Sequence, residues 1–493
     1  MVIYLCFKIL FDMMFIKVEN KMKRNLIVLS LLILYNGLMF AQNAKYVFYF
    51  IGDGMGVNQV QGTEYYQAEL KDIIGISPLC FTQFPVSTIA TTFSATHRVT
   101  DSAAAGTALA TGYKTRNGAI GVLEDLKTPV SSIGVWAKNK GCKVGIATSV
   151  SIDHATPAAF YAHVSGRDSY YNIGKYLYEA GFDFYGGSDF LEPVSKKDKS
   201  SLSLYDMAEE KGYVIARGYE EYKNKCDKAD KMILFQNENV TSRSSLLYSI
   251  DRKDESTLTL EKITSSAIDF LYTDNPEGFF LMVEGGKIDW ACHSNDAATV
   301  FHEIQDFNSA IKKAYDFYLQ HPDETLIVVT ADHETGGIAL STGKNEMKLS
   351  VLSNQKVSEN GFTKIIRALQ KKYDNQIPWE AVKNVLKENF GFWDKIELTT
   401  QQEARLKKVY DASLGTGRMK MEKSEYSNDA AISAEAKRII NEIAMVGWTS
   451  GDHSAGYVPV FAIGVGSERF SGRLDNTDIP VRIAESAGYV INK

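Results

Sequence analysis

At 493 residues the chain can bury a large core, in one big α/β domain or in two domains. Hydrophobic residues make up 45% and charged residues 23%, an ordinary balance for a soluble globular protein. The formal net charge of −6 argues against non-specific nucleic-acid binding as the main role, and no nucleic-acid partner is expected.

The N-terminus carries the first legible element. Lys21, Lys23 and Arg24 precede the apolar run Leu26–Tyr35, and Leu38-Met-Phe-Ala41 follows. A basic region, a short apolar core and a closing small residue make a secretory signal, and the apolar core is short for a bilayer span. Residues 1–41 are therefore read as a signal peptide with a spurious upstream extension over 1–21. Met22 is the natural start, cleavage follows Ala41, and Gln42 begins the mature chain. The alternative is an uncleaved anchor. The mature protein is expected to be periplasmic or secreted, with no stable membrane span.

Cys6 falls within this leader, leaving Cys80, Cys142, Cys226 and Cys292 with no C-x-x-C spacing. Export permits disulfides, and four cysteines allow three pairings among which the sequence does not choose. Cys142, beside Val144-Gly-Ile-Ala147, reads as a buried small hydrophobe.

Downstream, several apolar runs stop abruptly at small or acidic residues. Tyr46-Val-Phe-Tyr-Phe-Ile51 meets Gly52-Asp-Gly-Met-Gly56, and Phe279-Phe-Leu-Met-Val283 meets Glu284. Leu326-Ile-Val-Val-Thr330 meets Ala331-Asp-His-Glu334, and Val458-Pro-Val-Phe-Ala-Ile463 is a fourth run. Such runs read as strands buried on both faces, the habit of parallel sheets. Helical patterns lie between them. From Ala297 to Gln320, for example, Val300, Ile304, Phe307, Ile311, Tyr315 and Tyr318 fall on one stripe. The alternation predicts a doubly wound, mostly parallel α/β sheet with helices on both faces. Sites in such sheets form beyond the carboxyl ends of the strands, where the acidic residues fall here. The polar stretch 345–443, with helices predicted at Gly361–Lys372 and Pro378–Glu388, reads as an inserted cap or crown. The catalytic α/β domain then comprises 42–344 and 444–493.

Three segments carry chemistry. In the first turn of a predicted Ala-rich helix, Asp101 is a good N-cap and Ser102 stands where free amides favour an anion. A serine so placed can attack phosphorus, or it can be part of a plain capping motif. Next come His154, Thr156 and Arg167 in Ile152–Arg167, offering two ligand atoms and a bidentate phosphate clamp, or simply a surface arginine. Last, Asp289 and His293 lie four apart, Asp332-His333 follows a strand, and His453 lies in Gly451-Asp-His-Ser-Ala-Gly456. A lone Asp–His pair is more often a structural hydrogen bond. Several at strand ends, beside Asp53 and Glu284, point to zinc with open coordination positions.

Taken together, Ile51-Gly-Asp-Gly-Met-Gly56, Thr100-Asp-Ser-Ala-Ala104, Val283-Glu-Gly-Gly-Lys-Ile-Asp289, Thr330-Ala-Asp-His-Glu-Thr-Gly-Gly337 and the His453 loop resemble the bacterial, secreted members of the alkaline phosphatase family. The likeness runs from Tyr46 to about Gly488 and leaves 345–443 largely unmatched. It implies hydrolysis of small phosphate monoesters through a phosphoserine at Ser102, with two Zn2+ and one Mg2+. By the same likeness Asp289, His293 and His453 hold one zinc, and Asp53, Asp332, His333 and Ser102 the second. Asp53, Thr156 and Glu284 hold the magnesium, while Arg167 grips phosphate with Asp101 behind it. A homodimer is also expected. Two positions depart from the enteric bacterial pattern of aspartate and lysine: here they are His154 and Trp290, as in some marine members, and His154 could reach the third metal itself. The rivals are a sulfatase, which would need a C-x-P-x-R-type segment absent here, a phosphodiesterase, and a non-catalytic exported phosphate- or metal-binding protein.

Overall fold

Buried apolar runs dictate the centre of the computed structural model, which describes residues 43–238, 242–343 and 345–491. The predicted signal peptide lies outside the described residues. Among them, ten strands form one sheet. In chain order these begin with β1 (Tyr46–Ile51), β2 (Val86–Thr91), β3 (Lys143–Thr148), β4 (Phe184–Gly187), β5 (Tyr213–Arg217), β6 (Lys231–Phe235), β7 (Phe279–Glu284) and β8 (Thr325–Thr330). Six short strands lie outside the sheet: β9 (Glu334–Thr335), β10 (Ile338–Leu340), β11 (Met421–Lys423), β12 (Asn428–Ala430), β13 (Val446–Trp448) and β14 (His453–Ser454). The chain then rejoins it through β15 (Val458–Gly464) and β16 (Leu474–Asp475).

The order across the sheet is β16-β2-β15-β8-β1-β7-β3-β4-β6-β5. From β8 to β5 all neighbours run parallel, with β1 at the centre of the acidic strand ends. Every residue of β1, β7 and β8 is buried, as expected where helices cover both faces. The fourth apolar run departs from the parallel expectation: β15 is antiparallel to both β8 and β2. A run buried on both faces has the same composition in either direction, so its polarity is not written in it.

The helices follow their predicted stripes with a drift. The long helix spans Ala297–Tyr318 and buries Val300, Ile304, Phe307 and Ile311, but then Ala314 and Phe317 rather than Tyr315 and Tyr318. Its 3.6-residue turn carries the buried face around the axis, leaving those tyrosines half-buried. Phe307 packs edge-on against Phe50 of β1 and Phe81, tying the helix to the sheet.

The stretch 345–443 supplies helices Glu359–Lys372, Trp379–Phe390, Thr400–Ala412 and Ala431–Ala444, with the β11–β12 pair between the last two. It shares one compact unit with the sheet. Among the described residues Cys80, Cys142, Cys226 and Cys292 are free thiols, and Cys142 is buried. No helix among them is long and apolar enough to cross a membrane.

Phe307→Ala should leave a cavity between helix and sheet and cost about 3–5 kcal/mol. Denaturant unfolding measures this, and a loss below about 1 kcal/mol would show that the helix is not held to the sheet by this ring.

Candidate active site

The register of three parallel strands places the acids. Ile51 of β1 lies opposite Glu284 of β7 and Thr330 of β8, so the three chains leave the sheet at one level. Just beyond lie Asp53, Asp332 and His333, all with Glu284 fully buried. Thr148, ending β3, donates its hydroxyl to Glu284. The turn after β1 needs a glycine: Gly54 has φ +71°, and its amide donates to Asp332 Oδ1 at 3.1 Å. A Cβ there would stand 2.8 Å from the Asp289 Cα, so only glycine allows Asp53 and Asp289 to approach.

Asp101 caps the helix Ser102–Thr111 as expected, its Oδ1 accepting from the Ala104 amide at 3.0 Å. Every residue of this helix is buried, and its small side chains let it pack closely on the short helix Ala155–Ala158. Ser102, on the first turn, brings its Oγ to 3.2 Å from His333 Nε2. Arg167 reaches the same place from a loop whose backbone pairs with Gly118. Its Nη1 donates to Asp101 Oδ2 at 3.2 Å and its Nη2 to the Tyr426 hydroxyl at 3.3 Å.

Three histidines are oriented from behind. His293 Nδ1 bonds the Gly451 carbonyl at 2.6 Å and His453 Nδ1 the Thr100 carbonyl at 2.8 Å. Carbonyls only accept, so both Nδ1 atoms carry a proton, and each Nε2 atom offers a lone pair when its ring is neutral. The Thr335 hydroxyl donates to Asp289 Oδ1 at 2.5 Å, which leaves its oxygen to accept from His333 Nδ1 at 3.1 Å. Thus three Nε2 atoms face the centre, and those of His293 and His453 lie 3.1 Å apart. Two lone pairs at that distance repel unless a cation or proton sits between them. The short β9–β14 ribbon sets this meeting, pairing His453 with Thr335.

The ligand atoms gather into three groups, each within 4.8 Å: Asp289, His293 and His453; Asp53, Asp332 and His333; Asp53, His154 and Glu284. Within them Asp53 Oδ1 and Oδ2, Glu284 Oε1, Asp289 Oδ2, Asp332 Oδ2 and His154 Nδ1 are buried without a hydrogen-bond partner, as is Thr156 Oγ1. Buried polar atoms are ordinarily satisfied, so this concentration of orphans in an N/O donor set fits divalent cations. The electrostatics agree. Burial, then the neighbouring carboxylates, pushes Asp53 well above the usual carboxylate range. Burial raises Asp332 to about 7, with Asp289 adding to it, and raises Glu284 to about 8 despite the Thr148 hydroxyl. Burial opposes charge on Asp289 too, yet the facing His293 holds it well below its ordinary value. Conversely His293 rises to about 9 beside Asp289 although burial disfavours its charge, while burial and His453 depress His333. Burial and Arg167 lower His154 to about 3, leaving a neutral imidazole.

Every residue singled out from the sequence thus lies in this centre. His154, which the sequence reading allowed to reach the third metal, shares the third group with Asp53 and Glu284. Trp290 is buried with its Nε1 unpartnered and stacks on Tyr426, their centroids 4.7 Å apart and 9° from parallel. Tyr426 and its neighbour Glu425, whose carboxylate lies 3.4 Å from His293 Nε2, went unread in the sequence. They sit in a Ser-Glu-Tyr-Ser turn with no motif around it, and only packing brings them here.

The family profile described as alkaline phosphatase matches residues 44–181 and 196–489, a span that includes the 345–443 stretch left unmatched by the motifs. Alkaline phosphatase 4 of Bacillus subtilis is 34% identical over 394 residues, covering 78% of this chain and 75% of its own length. Alkaline phosphatase 3 of the same organism is 31% identical over 455 residues, covering 91% and 90%. Among solved structures, a cold-active alkaline phosphatase from a psychrophilic Shewanella superposes with a TM-score of 0.72 at 29% identity, covering 90% of this chain and 99% of that one. The enzyme from the Antarctic bacterium TAB5 gives 0.63 at 27%, covering 92% and 100%. The chain belongs to the alkaline phosphatase family and is a phosphomonoester hydrolase.

Proposed function

We propose that this centre hydrolyses phosphate monoesters through a phosphoserine at Ser102, with two zinc ions and one magnesium. The observation that carries the reading is the Ser102 hydroxyl at a helix N-terminus, 3.2 Å from His333 Nε2 and beside the orphaned carboxylates. Asp289, His293 and His453 would hold one zinc, and Asp53, Asp332 and His333 the other. Asp53, Glu284 and Thr156 would hold the magnesium, with His154 near enough to join them. A variant of the TAB5 enzyme with a histidine changed to aspartate has Mg bound in its M3 site, which favours magnesium at a third position in this fold. When bound, such cations polarise the attacking and leaving oxygens of an in-line displacement and ease loss of the serine proton.

The chain's own groups do the rest. Ser102 Oγ attacks phosphorus, its new P–O bond forming as the ester P–O bond breaks and the alcohol departs with a proton. Arg167, held by Asp101, grips two non-bridging oxygens, and the helix N-terminus favours their charge. Water then cleaves the phosphoserine and returns the proton to Ser102 Oγ, so two inversions leave net retention at phosphorus. Export and a homodimer belong to the same reading.

The direct test is trapping. Labelled substrate quenched in acid should leave phosphate on Ser102, and Ser102→Ala should abolish that label while keeping fold and bound metal. A label on another residue would overturn the covalent assignment.

Metal removal has a signed pH signature. Glu284, Asp332 and His293 have folded values of about 8, 7 and 9, each above its ordinary value. Such groups stabilise the fold at low pH and lose that contribution as pH rises through the folded value. Chelator-stripped protein should therefore be inactive, and these groups should lower its Tm progressively from about pH 4, where the unfolded carboxylates ionise, to about pH 9. Zinc with magnesium should restore activity, raise Tm and remove that fall. Equal melting curves with and without metal would count against the site.

His154 and Trp290 replace a carboxylate and a cation of the enteric pattern, so phosphate should be held less tightly and leave more easily. The double change His154→Asp with Trp290→Lys should tighten inhibition by inorganic phosphate and lower kcat together. Unchanged inhibition in that variant would show that these two residues do not set product release.

A further inference from the structure

The β11–β12 hairpin pushes one aromatic side chain into the middle of the centre. Its tip is tightly tied: the Ser424 amide donates to the Ser427 carbonyl at 3.0 Å, and the two hydroxyls lie 2.8 Å apart. Ser427 Oγ donates to the buried Asp429 at 2.6 Å, which also accepts from Asn360 Nδ2 at 3.2 Å. The Ala430 amide bonds Thr363 Oγ1 at 2.9 Å, so the helix Glu359–Lys372 anchors the hairpin's base. Ser294, ending the helix that carries Asp289 and His293, reaches both tip serines at 3.4 and 3.5 Å.

Tyr426 projects from this braced turn. One face stacks on Trp290, and the ring meets His154 and His293 edge-on at 5.8 and 5.3 Å. With the ring held on three sides its hydroxyl has one place to be, 3.3 Å from Arg167 Nη2. Asp101 holds the other terminal nitrogen, Nη1, at 3.2 Å. A guanidinium has five N–H donors in one plane; tying one from each terminal nitrogen sets the direction of those left for an oxyanion. Arginine side chains carry much rotamer entropy, which a flexible clamp would lose each time it bound phosphate.

Resting on the reading of Arg167 as the phosphate clamp, we infer that Tyr426 is the positioning residue of that clamp: its hydroxyl and Asp101 hold the guanidinium from opposite ends, and the Trp290 stack holds the hydroxyl. The stretch 345–443 thereby takes part in phosphate recognition.

Tyr426→Phe keeps the ring and the stack and removes only the hydroxyl. Hydrogen bonds to charged groups are worth enough that the phosphate inhibition constant and KM for p-nitrophenyl phosphate should rise roughly ten-fold, with kcat changed less than about two-fold. In the Arg167→Ala background the same substitution should add nothing, because the group it positions is gone. A merely structural tyrosine would move Tm without this split between KM and kcat. If Arg167→Ala weakens phosphate inhibition and Tyr426→Phe does not, the positioning role is wrong and the clamp stands. If the Tyr426→Phe effect persists without Arg167, the hydroxyl acts elsewhere and the inference is overturned. If neither substitution changes phosphate inhibition, the clamp reading itself fails and the inference falls with it.

Discussion

Like charge brought together by strand register is the constraint around which this centre is built. Asp53, Glu284 and Asp332 leave three adjacent parallel strands at one level, and Asp289 closes on them across Gly54. Two unit charges 4 Å apart repel by about 4 kcal/mol at an effective dielectric constant near 20. The sheet's hydrogen bonds and buried apolar faces keep the acids in place, so the repulsion is met by what surrounds them. Imidazoles, the Thr148 hydroxyl and the Gly54 amide meet part of it. The orphaned oxygens are the part that remains, and it is the part a cation matches.

An outer layer of ordinary hydrogen bonds makes the inner one usable. Carbonyls of Gly451 and Thr100 decide which nitrogen of His293 and His453 faces inward. Asp101 does two jobs with its two oxygens, capping the Ser102 helix with one and holding Arg167 with the other. Ser102 and Arg167 therefore share one carboxylate as their reference point, and their separation cannot drift independently.

How much of this was legible follows from how local each signal is. A strand that ends in an acid is a local pattern, and Asp53, Glu284 and Asp332 could be read one strand at a time. The Asp101 cap and the four-residue spacing of Asp289 and His293 are equally local. The direction of β15 is not, because burial on both faces erases the difference between parallel and antiparallel neighbours. Nor is Tyr426, which comes from a short turn far along the chain from β8, the nearest strand of the acidic group in sequence order. Its place depends on helix Glu359–Lys372 holding the hairpin. His154 lay between these cases: the family likeness placed it near the third metal, and only the fold shows its side chain grouped with Asp53 and Glu284.

One hydroxyl has a consequence for occupancy. Thr335 donates to Asp289 and accepts from His333, so ligands of two separate groups share a single orienting contact. Asp53 likewise belongs to two groups at once. A cation held by one group would fix side chains that a neighbouring group also uses, lowering the ordering cost left for the next. Linkage would then couple the filling of one group to the filling of the next. Partial loading would give a mixture of active and inactive enzyme rather than a uniformly slower one.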